Sequence, residues 1–109
     1  MLPLERTVAV DGGHFFEFPS RYLRAPDHRG FLYTLSFGSI GLALPMGLGA
    51  SVGRPDRRSV VFVGDGGFLM SLPELETAVR HRLPVAIVVM NGAAYGAGIT
   101  HLEGRGWSK

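Results

Sequence analysis

The sequence predicts an α/β domain, a parallel sheet with helices on both faces. Val60–Val63 and Val85–Met90 are short apolar runs rich in β-branched residues, each ending in a glycine-containing polar turn. Such runs read as strands buried on both faces. Between them, Leu72, Leu75, Ala78 and Val79 recur at helical spacing, and a strand–helix–strand order joins parallel neighbours by a right-handed crossover. Composition agrees: 46% hydrophobic and 18% charged residues describe a globular chain rather than a disordered one. At 109 residues, the chain is read as a single domain, 1–109.

Composition also excludes. A net charge of +2 gives no reason to expect nucleic acid or a membrane as partner. Without cysteine there is no disulfide and no thiolate metal site. The start, MLPLERTVAVDGG, lacks the basic-then-apolar pattern of a signal peptide. The longest apolar stretch, Ile40–Ala50, is too short and too rich in Gly and Pro to span a bilayer. A cytoplasmic location is the expectation.

Thr7–Val10 reads as a first strand, ending at the turn Asp11-Gly12-Gly13-His14. Phe15, Phe16 and Phe18 then pack into a core or against a partner. Residues 19–30 form a loop or short helix and a turn, with Arg21, Arg24, His28 and Arg29 on a solvated face. Phe31–Leu35 is a strand, and Ser39–Val52 a buried helix despite Pro45. Gly41, Gly47 and Gly49 each weaken that helix by about 1 kcal/mol relative to alanine, which implies that something packs closely against it. Gly53–Ser59, with Arg54, Arg57 and Arg58, is read as a solvated loop.

After the Gly64-Asp65-Gly66-Gly67 turn, Ser71 and Glu74 fit a capping box with Pro73 in the first turn. Leu72, Leu75, Ala78 and Val79 would face the sheet, while Glu76 and Arg80 pair across the exposed face. Capping and surface roles account for Glu74 and Glu76, and His81 near the helix end suits the dipole. Thr100–Lys109 reads as loop, and His101, Glu103 and Trp107 receive no assignment.

Parallel neighbours lie roughly 4.8 Å apart, so Asp65 and Asn91 should leave the sheet side by side at its carboxyl edge, where open α/β sheets bind ligands. A carboxylate, an amide oxygen and free carbonyls are hard ligands suited to Mg²⁺, which completes its shell with phosphate and water. Glycines at the turn let a phosphate approach the backbone. Together they describe a metal–diphosphate site.

Gly64-Asp65-Gly66, followed after a helix and a strand by Asn91, resembles the cofactor signature of thiamine-diphosphate enzymes, in particular the acetolactate synthase, benzoylformate decarboxylase and pyruvate decarboxylase group. FGSIGLALPMGLGAS, residues 37–51, is similar to that group's Gly-Ser-hydrophobic-Gly segment. The resemblance covers roughly residues 9–100. It implies the thiamine-diphosphate-binding fold of the C-terminal cofactor domain, truncated here.

It also implies Mg²⁺ held by Asp65, Asn91 and the backbone oxygen of Ala93. Cofactor contacts would come from Gly13, His14, Gly38, Ser39, Ile40, Gly64, Gly66, Gly67 and Tyr95. Among these, the Gly38 carbonyl would face the aminopyrimidine, and Ile40 would prop the cofactor into its bent shape. The alternatives are a plain loop for Gly13 and His14, a core position for Ile40 and a packing role for Tyr95. Met90 and Gly92 depart from the Asn-Asn or Asn-Asp usual in the motif. No residue of the chain is expected to be catalytic itself, because the cofactor carries the chemistry.

The implied function is the diphosphate-anchoring half of a 2-keto acid decarboxylase or carboligase. The implied partners are a pyrimidine-binding domain or subunit, which supplies an activating glutamate, and further copies in a homo-oligomer. No counterpart of the pyrimidine domain occurs in these residues, so a fragment, a split subunit and a decayed remnant all fit. Two other classes stand beside this one: a non-catalytic partner-binding module, and a nucleotide or S-adenosylmethionine enzyme. The last lacks the G-x-G-x-x-G spacing.

Overall fold

In the computed structural model, residues 2–33 and 36–107 are described. Four parallel strands form one sheet: β1 (Arg6–Val10), β2 (Phe31–Tyr33), β3 (Arg58–Gly64) and β4 (Val85–Met90), in the spatial order β2-β1-β3-β4. Five helices accompany them: α1 (Glu17–Tyr22), α2 (Ala43–Gly53), α3 (Asp65–Met70), α4 (Glu74–Arg80) and α5 (Gly96–Glu103). Of the predicted strand Phe31–Leu35, Leu35 lies outside the described residues, as does Thr34.

The core lies between one sheet face and α2 and α4. Alternation along the strands sends Ala9, Val61 and Val63 to the same side, where they meet Ala43, Leu44 and Leu48 of α2 and Ala78 of α4. Gly47 makes this approach possible: a Cβ there would stand 2.3 Å from Val61 Cγ2. The expectation of close packing thus holds at Gly47, whereas a Cβ at Gly49 would meet open space. Val8, Val10 and Val60 point the other way and are also fully buried. The β1–β2 connection runs across the sheet opposite to the later ones, so right-handed crossover puts α1 on that second face. There Pro19 is buried, and the rings of Phe16 and Tyr33 sit 4.1 Å apart.

Several predicted elements are corrected. The helix expected from Ser39 begins at Ala43. Phe37 (φ 60°), Gly38 (φ 65°) and Gly41 (φ 84°) adopt left-handed backbone that no α-helix accepts. Pro45 consequently falls in the first turn, where its missing N–H costs nothing. Gly64–Gly67 is not an open turn, because α3 starts at Asp65.

The helix expected after a Ser71 cap begins at Glu74 and is preceded by α3, which was not expected, and the capping box does not form. The Ser71 hydroxyl instead donates back to the carbonyls of Gly67 (3.1 Å) and Phe68 (3.4 Å). Leu75 and Ala78 pack on the core, but Leu72 is exposed and Val79 is 78% exposed. The Glu76–Arg80 pair is present, with Arg80 Nε donating at 2.8 Å. Residues 96–103, of which 100–103 were expected as loop, form α5; Ser108 and Lys109 lie outside the described residues.

Arg57 is the other correction. Its side chain is only 11% exposed, not solvated, and Nη2 donates to Asp27 Oδ2 at 2.6 Å. Glu5 and Asp56 approach its Nε at 3.7 and 3.6 Å. This guanidinium ties three segments together at the amino edge of the sheet.

Candidate functional site

The strand order reverses direction between β1 and β3, the switch point at whose carboxyl edge open α/β sheets bind ligands. A cavity of about 800 Å³ opens there. Its walls come from the ends of three strands: Gly12–His14 after β1, Gly64–Gly67 after β3, and Met90–Gly92 after β4. Gly64 pairs in register with Met90, so Asp65 and Asn91 do leave the sheet as neighbours.

Most of the residues singled out in the sequence converge on this cavity. Gly13, His14, Gly38, Ile40, Gly64, Asp65, Gly66, Gly67, Asn91 and Tyr95 line it; Ser39 and Ala93 do not. The Ser39 hydroxyl donates to its neighbour's carbonyl, Ile40 O, at 3.1 Å. Asn91 Oδ1 accepts the amide of Ala93 at 3.0 Å, which folds residues 91–93 into a tight turn with Ala93 at φ 50°. An amide oxygen has two lone pairs, so one stays available to a cation.

The floor is glycine for steric reasons. A Cβ on Gly66 would lie 2.5 Å from the Tyr95 ring, and one on Gly64 would lie 3.1 Å from the Phe15 ring. On Gly67 it would lie 2.2 Å from Asp11 Oδ2. The side chains of Tyr95, Phe15 and Asp11 therefore pack directly against the main chain of these glycines.

Sequence reasoning missed Asp11. It is 1% exposed, and its amide extends the β1–β3 pairing by donating to Phe62 O at 2.9 Å. Its carboxylate accepts Gly41 N at 2.7 Å and Leu42 N at 3.3 Å, next to the start of α2. Backbone amides at a helix start suit a carboxylate. Burial, and then the Asp11 carboxylate, push the Tyr33 phenol up. An aspartate before two glycines reads as a turn residue, and nothing local announced that it would be enclosed. Phe15 and Phe18, expected only to pack, also line the cavity.

The donor set suits a hard divalent cation beside a phosphate: one carboxylate, one amide oxygen and nearby carbonyls. Among the described residues, no group of three or more His, Cys, Asp or Glu could hold a metal. A cation here would thus depend on the Asp65–Asn91 pair together with backbone or ligand oxygens. The volume falls within the range of small-molecule and cofactor sites. Among the described residues, no helix is long and apolar enough to cross a membrane.

Residues 11–103 match the family model for the thiamine pyrophosphate enzyme C-terminal TPP-binding domain. Over 96 residues, 88% of the chain, it is 40% identical to a sulfoacetaldehyde acetyltransferase of Alcaligenes xylosoxydans xylosoxydans. Over 89 residues, 82% of the chain, it is 39% identical to an acetolactate synthase of Bacillus subtilis (strain 168). The chain spans 16% of the length of each of these relatives. In fold it is similar to a thiamine diphosphate-dependent 4-hydroxybenzoylformate decarboxylase of Rhodococcus jostii RHA1, with a TM-score of 0.84 and 23% identity. That likeness covers 98% of this chain and 20% of the other.

Proposed function

The chain belongs to the thiamine pyrophosphate enzymes, in the part that forms their C-terminal binding domain, and on that footing we propose that it anchors the cofactor's diphosphate through Mg²⁺ for a 2-keto acid decarboxylase or carboligase. The observation carrying this is the register of Gly64 with Met90, which sets Asp65 beside Asn91 at the mouth of a glycine-floored cavity.

Asp65 and Asn91 would hold the cation, joined by the backbone oxygen of Ala93 where the 91–93 turn presents it. Backbone amides of Gly66 and Gly67 would donate to the phosphates. Gly13 and His14 face the same cavity from β1 and would meet the terminal phosphate. Gly38 and Ile40 stand on a separate wall segment, suited to the ring end of an elongated ligand. Once bound, thiamine diphosphate supplies a carbon nucleophile toward the carbonyl of a keto acid. The residues of the chain bind, orient and shield it, and Mg²⁺ neutralises phosphate charge rather than acting on substrate.

The sulfoacetaldehyde acetyltransferase and acetolactate synthase matches favour an acyl-type transfer to an acceptor. A pyrimidine-binding partner is part of this reading. Phe37, next to Gly38 of the cavity wall, and Leu69 and Met70, in the helix that starts at Asp65, are exposed apolar residues and suit such docking.

Calorimetric titration of thiamine diphosphate into the purified chain, with Mg²⁺ and then with EDTA, tests the proposal. Metal-dependent binding that disappears in Asp65→Ala and Asn91→Ala is expected. Equal binding in EDTA, or no binding by a folded chain, overturns it.

A further inference from the structure

We propose that Asp11 is a positioning residue that sets the distance between the two walls of the cavity and thereby decides whether the ring end of the ligand is held. The inference rests on the cofactor reading above and assigns a role to a residue outside it.

The Asp11 side chain reaches both walls. Its carboxylate accepts the amides of Gly41 and Leu42, which follow directly on the wall residues Gly38 and Ile40. Its Oδ2 also lies against Gly67, in the first turn of α3, where a Cβ would stand 2.2 Å from it. Its own backbone is fixed to β3 through Phe62. A rigid strand end therefore carries a short arm that holds a segment of unusual backbone, with left-handed glycines at 38 and 41.

Enclosure excludes a direct role. Asp11 is 1% exposed and does not line the cavity, and burying a carboxylate is costly unless hydrogen bonds offset it. The two backbone amides provide that offset. Replacing Asp11 with a group that accepts only one of them should release residues 38–42 while leaving the Gly64–Gly67 and Asn91 turns in place. Ring-end contacts would then be lost and diphosphate-end contacts kept.

The test uses Asp11→Asn, which keeps the volume but turns an NH₂ group toward one amide. Three quantities are measured on the chain: hydrogen exchange at the Gly41 and Leu42 amides, and Mg²⁺-dependent affinity for thiamine diphosphate and for inorganic diphosphate. With the fold retained by circular dichroism, exchange at both amides should accelerate. Thiamine diphosphate affinity should fall about tenfold, the scale of one charge-assisted hydrogen bond. Inorganic diphosphate affinity should stay within about twofold, a few tenths of a kcal/mol.

Equal weakening of both ligands, or no weakening of either, overturns the positioning role while the cofactor reading stands. A wild-type chain that binds neither ligand overturns the cofactor reading, and this inference with it. Should Asp11→Asn fail to fold, Gly41→Ala displaces the same segment from the other side, where its Cβ would meet Met70 at 3.1 Å. The same differential loss is expected from it, and equal loss of both ligands is again the overturning result.

Discussion

Gly47 of α2 lies so close to Val61 of β3 that a Cβ on the glycine would come within 2.3 Å of the valine's Cγ2. Val61 is fully buried and β-branched, so it has no room to yield. Gly47→Ala should therefore destabilise the fold by about 1–3 kcal/mol through overpacking, despite a helix-propensity gain of about 1 kcal/mol. Gly49→Ala, facing open space on the same helix, should only gain. Urea unfolding of both variants checks this; equal stability of the pair would show that the α2–β3 distance is not set by the glycine.

Gly66 and Gly67 should respond differently to the same change. The obstacle at Gly66 is the tip of an exposed tyrosine that can swing away. Gly66→Ala should fold normally and bind thiamine diphosphate more weakly, because both the methyl and the displaced ring crowd the cavity. At Gly67 the obstacles are the buried Asp11 carboxylate and the Gly41 backbone, so Gly67→Ala should cost about 1–3 kcal/mol of stability. Thermal melts alongside ligand titration separate the two effects.

Acid should loosen the amino edge of the sheet. The Arg57 guanidinium, and then the Arg29 amide, lower the Asp27 carboxyl to about 2 from 3.8. A depressed native pKa stabilises the fold above the unfolded value and loses that contribution as pH falls through the native one. The window therefore runs from about 4 down to about 2. Melting temperatures across that window should fall more steeply for the wild type than for Asp27→Asn. Parallel curves would mean the Arg57 contact does not contribute in solution.

Ser71 and Glu74 divide what a capping box would share. Ser71→Ala removes a buried hydroxyl bonded to α3 carbonyls and should cost about 0.5–1.5 kcal/mol. Glu74→Ala should cost less, since no side-chain cap is formed at the start of α4. Chemical denaturation of the two variants decides it: a comparable loss from Glu74→Ala would restore the capping box.

The Gly64–Asp65 and Met90–Asn91 ends were legible because parallel strands have only a short-range freedom of register, and both runs end in abrupt polar turns. Local pattern located them, and the third dimension added little. Asp11 and Arg57 were illegible for the opposite reason. Each is buried by segments about thirty residues away, Gly41 in one case and Asp27 in the other, and no local window contains that information. The start of α2 was misread because left-handed backbone at Phe37 is set by the chain around it, not by a phenylalanine's own preference. The amphipathic signal after Ser71 was sound in period, but the short helix turns Val79 outward.

The position of β4 has a consequence for how binding and folding are coupled. β1 and β3 are paired on both sides and carry fully buried valines, whereas among the described residues β4 pairs with β3 alone and none of its residues is fully buried. Amide exchange should accordingly be slowest beneath Asp11 and Asp65 and faster beneath Asn91. A ligand gripping Asp65 and Asn91 together would act as a clasp across that seam. Part of its binding free energy would go into suppressing the detachment of β4, and raising its concentration would slow exchange along the whole strand.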